Sequence, residues 1–182
     1  MKIHFIAALT AALVLAGCAT TRDATPPVAA VAQLDLARYA GKWFEIARFD
    51  QYFQRGCVGV YVEYGAIDAS TVSVNNVCRI DKLDGPVSGI TGRATRPDAA
   101  APAKLKVRFD RFPVNLFSAD YWVVALDNDY RWAVVSNERG SVLWILSRTP
   151  SMNAATYDSI VTGLKARGIK TEYLIRTLQP TS

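Results

Sequence analysis

The chain of 182 residues is 51% apolar and 20% charged, and its formal net charge is +5. This composition is typical of one globular domain with a sizeable core. The only histidine, His4, lies in a stretch typical of a removable secretion signal. A mature chain without histidine cannot build a histidine-dependent catalytic triad or a histidine-ligated zinc or haem site.

The N-terminus indicates export. An apolar run over Ile3 to Leu15 follows Met1-Lys2 and is too short to span a bilayer comfortably. It leads into Leu15-Ala16-Gly17-Cys18, which resembles the lipobox of bacterial lipoproteins. The resemblance implies that Cys18 becomes the first mature residue and carries acyl chains such as palmitate. The alternative is an ordinary secreted protein with a cysteine there by chance.

The next residues indicate where the protein is held and where its domain begins. Ala19 follows the cysteine, where aspartate would resemble an inner-membrane retention signal, so we expect the periplasmic face of the outer membrane. Residues 18–33 are rich in Ala, Thr and Pro and show no apolar period, as in a tether. We therefore predict a signal peptide over 1–17, a lipidated cysteine and flexible tether over 18–33, and a folded domain over 34–182.

The domain is predicted to be all-β. Eight segments rich in β-branched and aromatic residues are separated by turn residues, with connections too short for crossover helices. Eight antiparallel up-and-down strands can close into a barrel that holds one small ligand. An amphipathic helix over Ala154–Arg167 packs outside, and a short strand over Tyr173–Leu178 ends the domain. The eight predicted strands are Trp43–Phe49, Cys57–Tyr64, Thr71–Arg79, Val87–Thr95, Lys104–Phe109, Tyr121–Leu126, Trp132–Ser136 and Val142–Arg148.

Three patches of the sequence resemble the signature regions of lipocalins. They are Gly41-Lys42-Trp43, Leu126-Asp127-Asn128-Asp129-Tyr130 and Leu143-Trp144-Ile145-Leu146-Ser147-Arg148. The longer stretches around Trp43 and Trp144 are similar to bacterial outer-membrane lipocalins and, more distantly, to apolipoprotein D. The resemblance covers roughly Leu34 to Gln179, and it implies a non-enzymatic barrel that binds a fatty acid or a lysophospholipid.

The strand order predicts which residues meet at one end of the barrel. Because each connection reverses direction, the starts of odd strands and the ends of even strands share one end. Gly41, Trp43, Asp129, Tyr130 and Arg148 are expected to cluster there. The resemblance implies that this end is closed, with the arginine over the tryptophan ring, and that these residues are structural.

The other connections form the rim of the predicted mouth. Phe53 lies in the first of them, and Phe112, Leu116 and Phe117 lie in the third. So many apolar residues at a mouth predict a lid over an acyl chain, or a patch that touches a membrane or a second subunit of a homodimer. The alternative is that the loop folds inward over the core of the barrel.

Strand alternation assigns the lining of the cavity. Leu146 and Trp144 share the inward face of Arg148, because residues two apart lie on one side of a strand. The resemblance to apolipoprotein D implies that Tyr121 also points inward. Glu45 turns inward too, so we expect it to pair with an inward arginine or with hydrogen-bond donors rather than to act as an acid or base. The predicted ligand-binding residues are Asn75, Leu105, Val107, Phe109, Tyr121, Val123, Trp144 and Leu146.

Two cysteines remain once Cys18 is lipidated. A hairpin centred between Ile67 and Asp68 places Cys57 opposite Cys78, close to disulfide reach. Export to an oxidising compartment favours the bridge. The alternative is a free reactive thiol, which a slip of one residue in the hairpin would favour.

These observations predict a membrane-anchored protein that sequesters or transfers a lipophilic ligand and that has no catalytic role, metal or cofactor. The mature charge of +4 does not favour nucleic acid as a partner. Two other functions stay open. One is a thiol-dependent lipid isomerase or peroxidase that uses Cys57 or Cys78. The other is an envelope interaction factor that docks a partner through the loop over 112–117.

Overall fold

A computed structural model describes residues 28–180. Nine strands and two helices make up this part of the chain, with single turns of 3₁₀ helix at Tyr52–Gln54, Val114–Leu116 and Thr171–Tyr173. Among these residues, neither helix is long and apolar enough to cross a membrane. In chain order the elements are α1 (Leu36–Tyr39), β1 (Gly41–Phe49), β2 (Cys57–Ala66), β3 (Thr71–Ile80), β4 (Val87–Thr95), β5 (Lys104–Phe109), β6 (Ala119–Leu126), β7 (Trp132–Ser136), β8 (Leu143–Ser147), α2 (Ala154–Ala166) and β9 (Leu174–Arg176).

The strands form the predicted barrel. Each strand from β2 to β8 pairs antiparallel with the next, β8 pairs with β1, and β1 returns to β2. The contact between β1 and β2 covers only the first half of β1, from Gly41 to Phe44. In the second half, β9 pairs with Ala47 to Phe49 instead. The final residues of the domain therefore complete the wall between β1 and β2.

Bulges change which side chains face the interior. In β1 the register shifts between Glu45 and Ala47, so that Glu45 pairs with Leu146 and Arg48 pairs with Trp144. A bulge inserts one unpaired residue and reverses the alternation beyond it. Glu45 and Arg48, three residues apart, consequently both point inward.

Two apolar clusters lie on opposite faces of the sheet. The inner cluster lines the interior of the barrel and includes Trp43, Leu105 and Val123. The outer cluster lies beneath α2, where Ile160 and Leu164 of the helix pack against Val134, Leu143 and Ile145 of the wall. The side chain of Asn153 accepts a hydrogen bond from the Ala155 amide at the start of α2, as expected of an N-cap. The amphipathic helix thus packs outside the barrel as predicted.

The segment before α1 lies against the barrel rather than apart from it. The Val28 amide donates to the Glu138 carbonyl at the open end, and the Val31 amide donates to the Val123 carbonyl. Further on, Arg96 donates to the Leu34 carbonyl at the closed end. Residues 28–33 therefore belong to the folded unit, which corrects the tether predicted over 18–33 at its C-terminal side. The predicted signal peptide, the acylation of Cys18 and the rest of the tether lie outside the described residues.

Candidate functional site

The interior wall of the barrel is apolar. Leu105, Val107, Val123 and Leu146 are buried in the inner cluster, and Phe109, Tyr121 and Trp144 pack against it while partly exposed. These seven predicted lining residues therefore face the interior. The structure adds Val72, Val74 and Val135 to the same cluster.

The inward placement predicted for Asn75 is wrong. Asn75 pairs with Glu63, whose carboxylate forms an exposed ion pair with Lys42 on the outer face. The inward residues of β3 are its neighbours, such as Val74, which pairs with the buried Tyr64. Successive residues of a strand point to opposite faces, so Asn75 lies outside because Val72 and Val74 lie inside.

A cluster of three tyrosines forms the floor of the interior. The Tyr121 hydroxyl lies 2.8 Å from that of Tyr39 and 2.6 Å from that of Tyr64. Burial raises the pKa of all three phenols well above the ordinary value, so each hydroxyl stays protonated. Because the hydroxyls are bonded to one another, the floor is closed and neutral. Tyr39 and Tyr64 were not among the residues predicted to line the interior.

Below the floor, the predicted closed end is present. Trp43 is fully buried, and the Arg148 guanidinium lies 3.8 Å from its ring centroid. Arg148 also donates to the carbonyls of Arg38, Tyr39, Ala40, Lys42 and Tyr130. This arginine thus joins the start of β1 to the turn after β6.

Glycine and turn residues bring the chain close to Arg148. Gly41 has a φ of +96°, and a Cβ atom there would lie 3.1 Å from Arg148 Nη1. In the turn between β6 and β7, the Tyr130 hydroxyl accepts from the Asp35 amide. Asp129 lies in this turn but is exposed, and Asp127 braces it by accepting hydrogen bonds from the Asp129 amide and from Arg131. Side-chain hydrogen bonds from Arg131 lower the pKa of Asp127.

A polar cluster lies on the inner side of the mouth, formed by Glu45, Arg48, Gln54, Trp144 and Thr177. Arg48 Nη1 is 2.9 Å from Glu45 Oε1, and both side chains are buried. The Gln54 amide donates to Glu45 and accepts from the Trp144 indole, at 2.9 and 2.8 Å. Glu45 therefore has the arginine partner predicted for it. Among the described residues, Arg48 Nε is buried without a hydrogen-bond partner.

The two cysteines near the mouth form a disulfide. Cys57 and Cys78 are bridged, with their Cα atoms 5.5 Å apart, although β2 pairs Cys57 with Ile80 rather than with Cys78. The predicted bridge is thus present and the predicted register is wrong. In this state the chain offers neither thiol for the thiol-dependent chemistry considered above.

The rim of the mouth carries exposed apolar side chains. Phe53, Phe112, Leu116 and Phe117 are 70%, 74%, 61% and 71% exposed. The loop is held in this shape by hydrogen bonds from the Arg108 side chain to the Asn115 carbonyl and from the Asn115 amide to the Arg111 carbonyl. The alternative in which the loop folds inward is therefore wrong. We call the exposed apolar side chains of this end the rim patch: Tyr52, Phe53, Val87, Phe112, Val114, Leu116 and Phe117.

Comparison with known proteins agrees with this geometry. A family model described as a lipocalin-like domain matches residues 34–179. The chain is a lipocalin. It is 35% identical to the outer membrane lipoprotein Blc of Escherichia coli strain K12, over 99% of this chain and 98% of the relative. It is 31% identical to apolipoprotein D of Bos taurus, over 85% of this chain and 80% of the relative.

Solved structures support the fold. Insecticyanin from the tobacco hornworm Manduca sexta superposes with a TM-score of 0.67 at 22% identity, over 86% of each chain. Outer membrane lipoproteins of Citrobacter freundii and Vibrio cholerae are further relatives of this lipocalin, at 34% and 32% identity. The predicted localisation, at the outer membrane through a lipid anchor, is confirmed by these relatives.

Proposed function

We propose that this lipocalin sequesters or transfers one lipophilic ligand, a fatty acid or a lysophospholipid, whose acyl chain enters the barrel through the open end. The observation that supports this most directly is the apolar wall between a closed, neutral floor and a polar mouth. Burial of an acyl chain contributes roughly 25 cal/mol per Å² of apolar area, offset by ordering costs. Affinity therefore rises with chain length until the interior is full.

The polar cluster favours a ligand with an anionic group at one end. Arg48 Nε is a buried donor without a partner, and a buried donor gains from any acceptor that reaches it. A carboxylate or phosphate at the mouth provides such an acceptor. The Glu45 carboxylate balances most of the charge of Arg48, so recognition depends on one hydrogen bond rather than on net attraction.

The anchor in this proposal is Cys18, acylated and inserted in the periplasmic face of the outer membrane. Several acyl chains on one residue hold a protein at a bilayer without ready dissociation. Mass spectrometry of the mature N-terminal peptide tests this, and the acylated Cys18 is the expected species.

Two tryptophans on opposite faces of the wall test the ligand site. Trp144 packs against the inner cluster, whereas Trp122 belongs to the outer cluster and lies beneath Lys104. We expect Trp144→Ala to weaken binding of a fluorescent fatty acid about tenfold, because apolar contact with the chain is lost. The matched variant Trp122→Ala removes the same side chain outside the barrel and leaves the affinity unchanged.

Both variants are measured with the full mature chain, and thermal unfolding confirms that each is folded. Equal effects on affinity contradict an interior site. If the protein as exported carries no lipid and takes up none, the ligand proposal fails. The exposed loop over 112–117 then favours the second candidate, an envelope interaction factor or a homodimer that docks through this loop.

A further inference from the structure

The rim patch is concentrated at one end of the barrel. Of the large apolar side chains exposed within residues 28–180, seven form this patch, whereas the closed-end turns expose only Ile67. The patch lies on three of the four connections and strand ends that surround the mouth. An exposed apolar area of this kind in a folded domain marks a contact surface.

The path of the N-terminal segment points to what covers this surface. Residues 28–34 run from the open end to the closed end, so Val28 lies on the side of the mouth. A Cβ atom on Gly140, in the connection between β7 and β8, would lie 3.0 Å from the Val28 side chain, which places Val28 at the rim. Cys18 lies ten residues upstream, which bounds its distance from Val28 at about 35 Å. The segment that links Cys18 to the domain is therefore attached at the end that carries the rim patch.

The charges around the mouth indicate that the rim patch does not bind its partner by electrostatic attraction. The connections over residues 50–56, 81–86, 110–118 and 137–142 together contain five acidic and four basic side chains. This near-neutral rim offers no net attraction to anionic headgroups. Contact with a bilayer must therefore come from the apolar and aromatic side chains. Aromatic residues are enriched at membrane interfaces, and the patch contains four of them, Tyr52, Phe53, Phe112 and Phe117.

We propose that the open end of the barrel docks on the bilayer that holds the anchor, with the rim patch inserted at the level of the headgroups. The mouth then opens onto lipid rather than onto water, and an acyl chain passes between the bilayer and the interior without crossing the aqueous phase. The proposal rests on the anchoring through Cys18 and adds an orientation to it.

Site-specific fluorescence on the full lipidated chain tests the orientation. Leu116→Cys and Ile67→Cys place one free thiol at the open or the closed end, because Cys57 and Cys78 are bridged. Each is labelled with an environment-sensitive nitrobenzoxadiazole dye and reconstituted in vesicles of phosphatidylethanolamine and phosphatidylglycerol that contain nitroxide-bearing lipid. We expect quenching by that lipid to be about fivefold stronger at position 116 than at position 67, with blue-shifted emission only at 116.

Two further measurements make the test specific. Phe112→Ser combined with Phe117→Ser should reduce the quenching at position 116, whereas a rise in ionic strength should leave it unchanged. Equal quenching at both positions overturns the proposal, as does quenching that high salt abolishes. Protection of position 116 by a second copy of the chain, seen as energy transfer between labels without lipid quenching, also overturns it.

The outcome is separable from the ligand proposal. Fatty-acid affinity, measured on the same variants in detergent, reports the interior site and not the orientation. If the label at position 116 is quenched but the protein binds no fatty acid, the docking proposal is supported and the ligand proposal is contradicted. If the protein binds fatty acid but the label is not quenched, the ligand proposal is supported and the docking proposal is contradicted.

Discussion

The two ends of the barrel are built in opposite ways. At the closed end, Trp43 is fully buried and the Arg148 guanidinium covers its ring. Arg148 also donates hydrogen bonds to backbone carbonyls, among them those of Arg38 and Ala40. At the open end, Phe112 and Phe117 are mostly exposed, and the loop that carries them is held by hydrogen bonds to its backbone and not by burial of these rings. The closed end thus contributes to the stability of the fold, whereas the side chains of the open end are available for contact with another surface. Substitutions at the two ends should separate these roles.

The largest effect on stability is expected from Arg148→Met, which keeps the length of the side chain but removes its charge and all its donors. Several carbonyls lose their partner and the contact with the Trp43 ring is lost, so we expect the free energy of unfolding to fall by about 3 kcal/mol. Urea unfolding measures the change. Arg139→Met, an exposed arginine in the connection between β7 and β8, is the matched control. A loss below about 1 kcal/mol at Arg148 contradicts a structural closed end.

A smaller effect is expected from Asp127→Asn, with a dependence on pH. The folded pKa of Asp127 is lowered, so its stabilisation is fully present above the unfolded value of about 4 and is lost as pH falls through the folded value. We expect a loss of about 1 kcal/mol at neutral pH that disappears in acid. Urea unfolding across this range measures it, with Asp129→Asn in the same turn as control. A difference that persists at low pH would show that the carboxylate charge is not the cause.

The smallest effect on stability is expected at the rim. Phe112→Ser with Phe117→Ser should change the free energy of unfolding by less than about 0.5 kcal/mol, because both rings are already exposed to solvent. The same urea titration measures it in detergent-free buffer without vesicles. A large loss would mean that the loop is part of the core in solution, and it would remove the contrast between the two ends.

The strand pattern was well predicted because local signals decide it. β4, β5 and β7 begin and end as predicted, since each alternates or is apolar between turn residues. The helix α2 follows its Asn153 cap. The short helix α1 was missed because four residues give no apolar period, although Asp35 caps it by accepting from the amides of Ala37 and Arg38.

Register and bulges could not be predicted from the same signals. Gly65 pairs with Ser73 and Ala66 with Val72, so the turn between β2 and β3 is centred on Ala69 rather than between Ile67 and Asp68. The inward placement of Asn75 is also wrong, because its neighbour Val74 takes the inner face. The bulge in β6 between Val123 and Ala125 turns Ala125 outward toward the outer cluster, although strict alternation from Val123 would place it inside. The lining residues that follow from nearby anchors, such as Leu146 from Arg148, were placed correctly.

The position of β9 has a consequence for the order of folding. Thr177 and Gln179 bond to Ile46 and Glu45, more than 120 residues earlier in the chain, and fill the gap that β2 leaves beside β1. Contacts so distant in sequence form late and slow the reaction, because a long loop must close first. The wall beside β1 therefore stays incomplete until the last residues of the domain are in place. Until then the interior is open at the side.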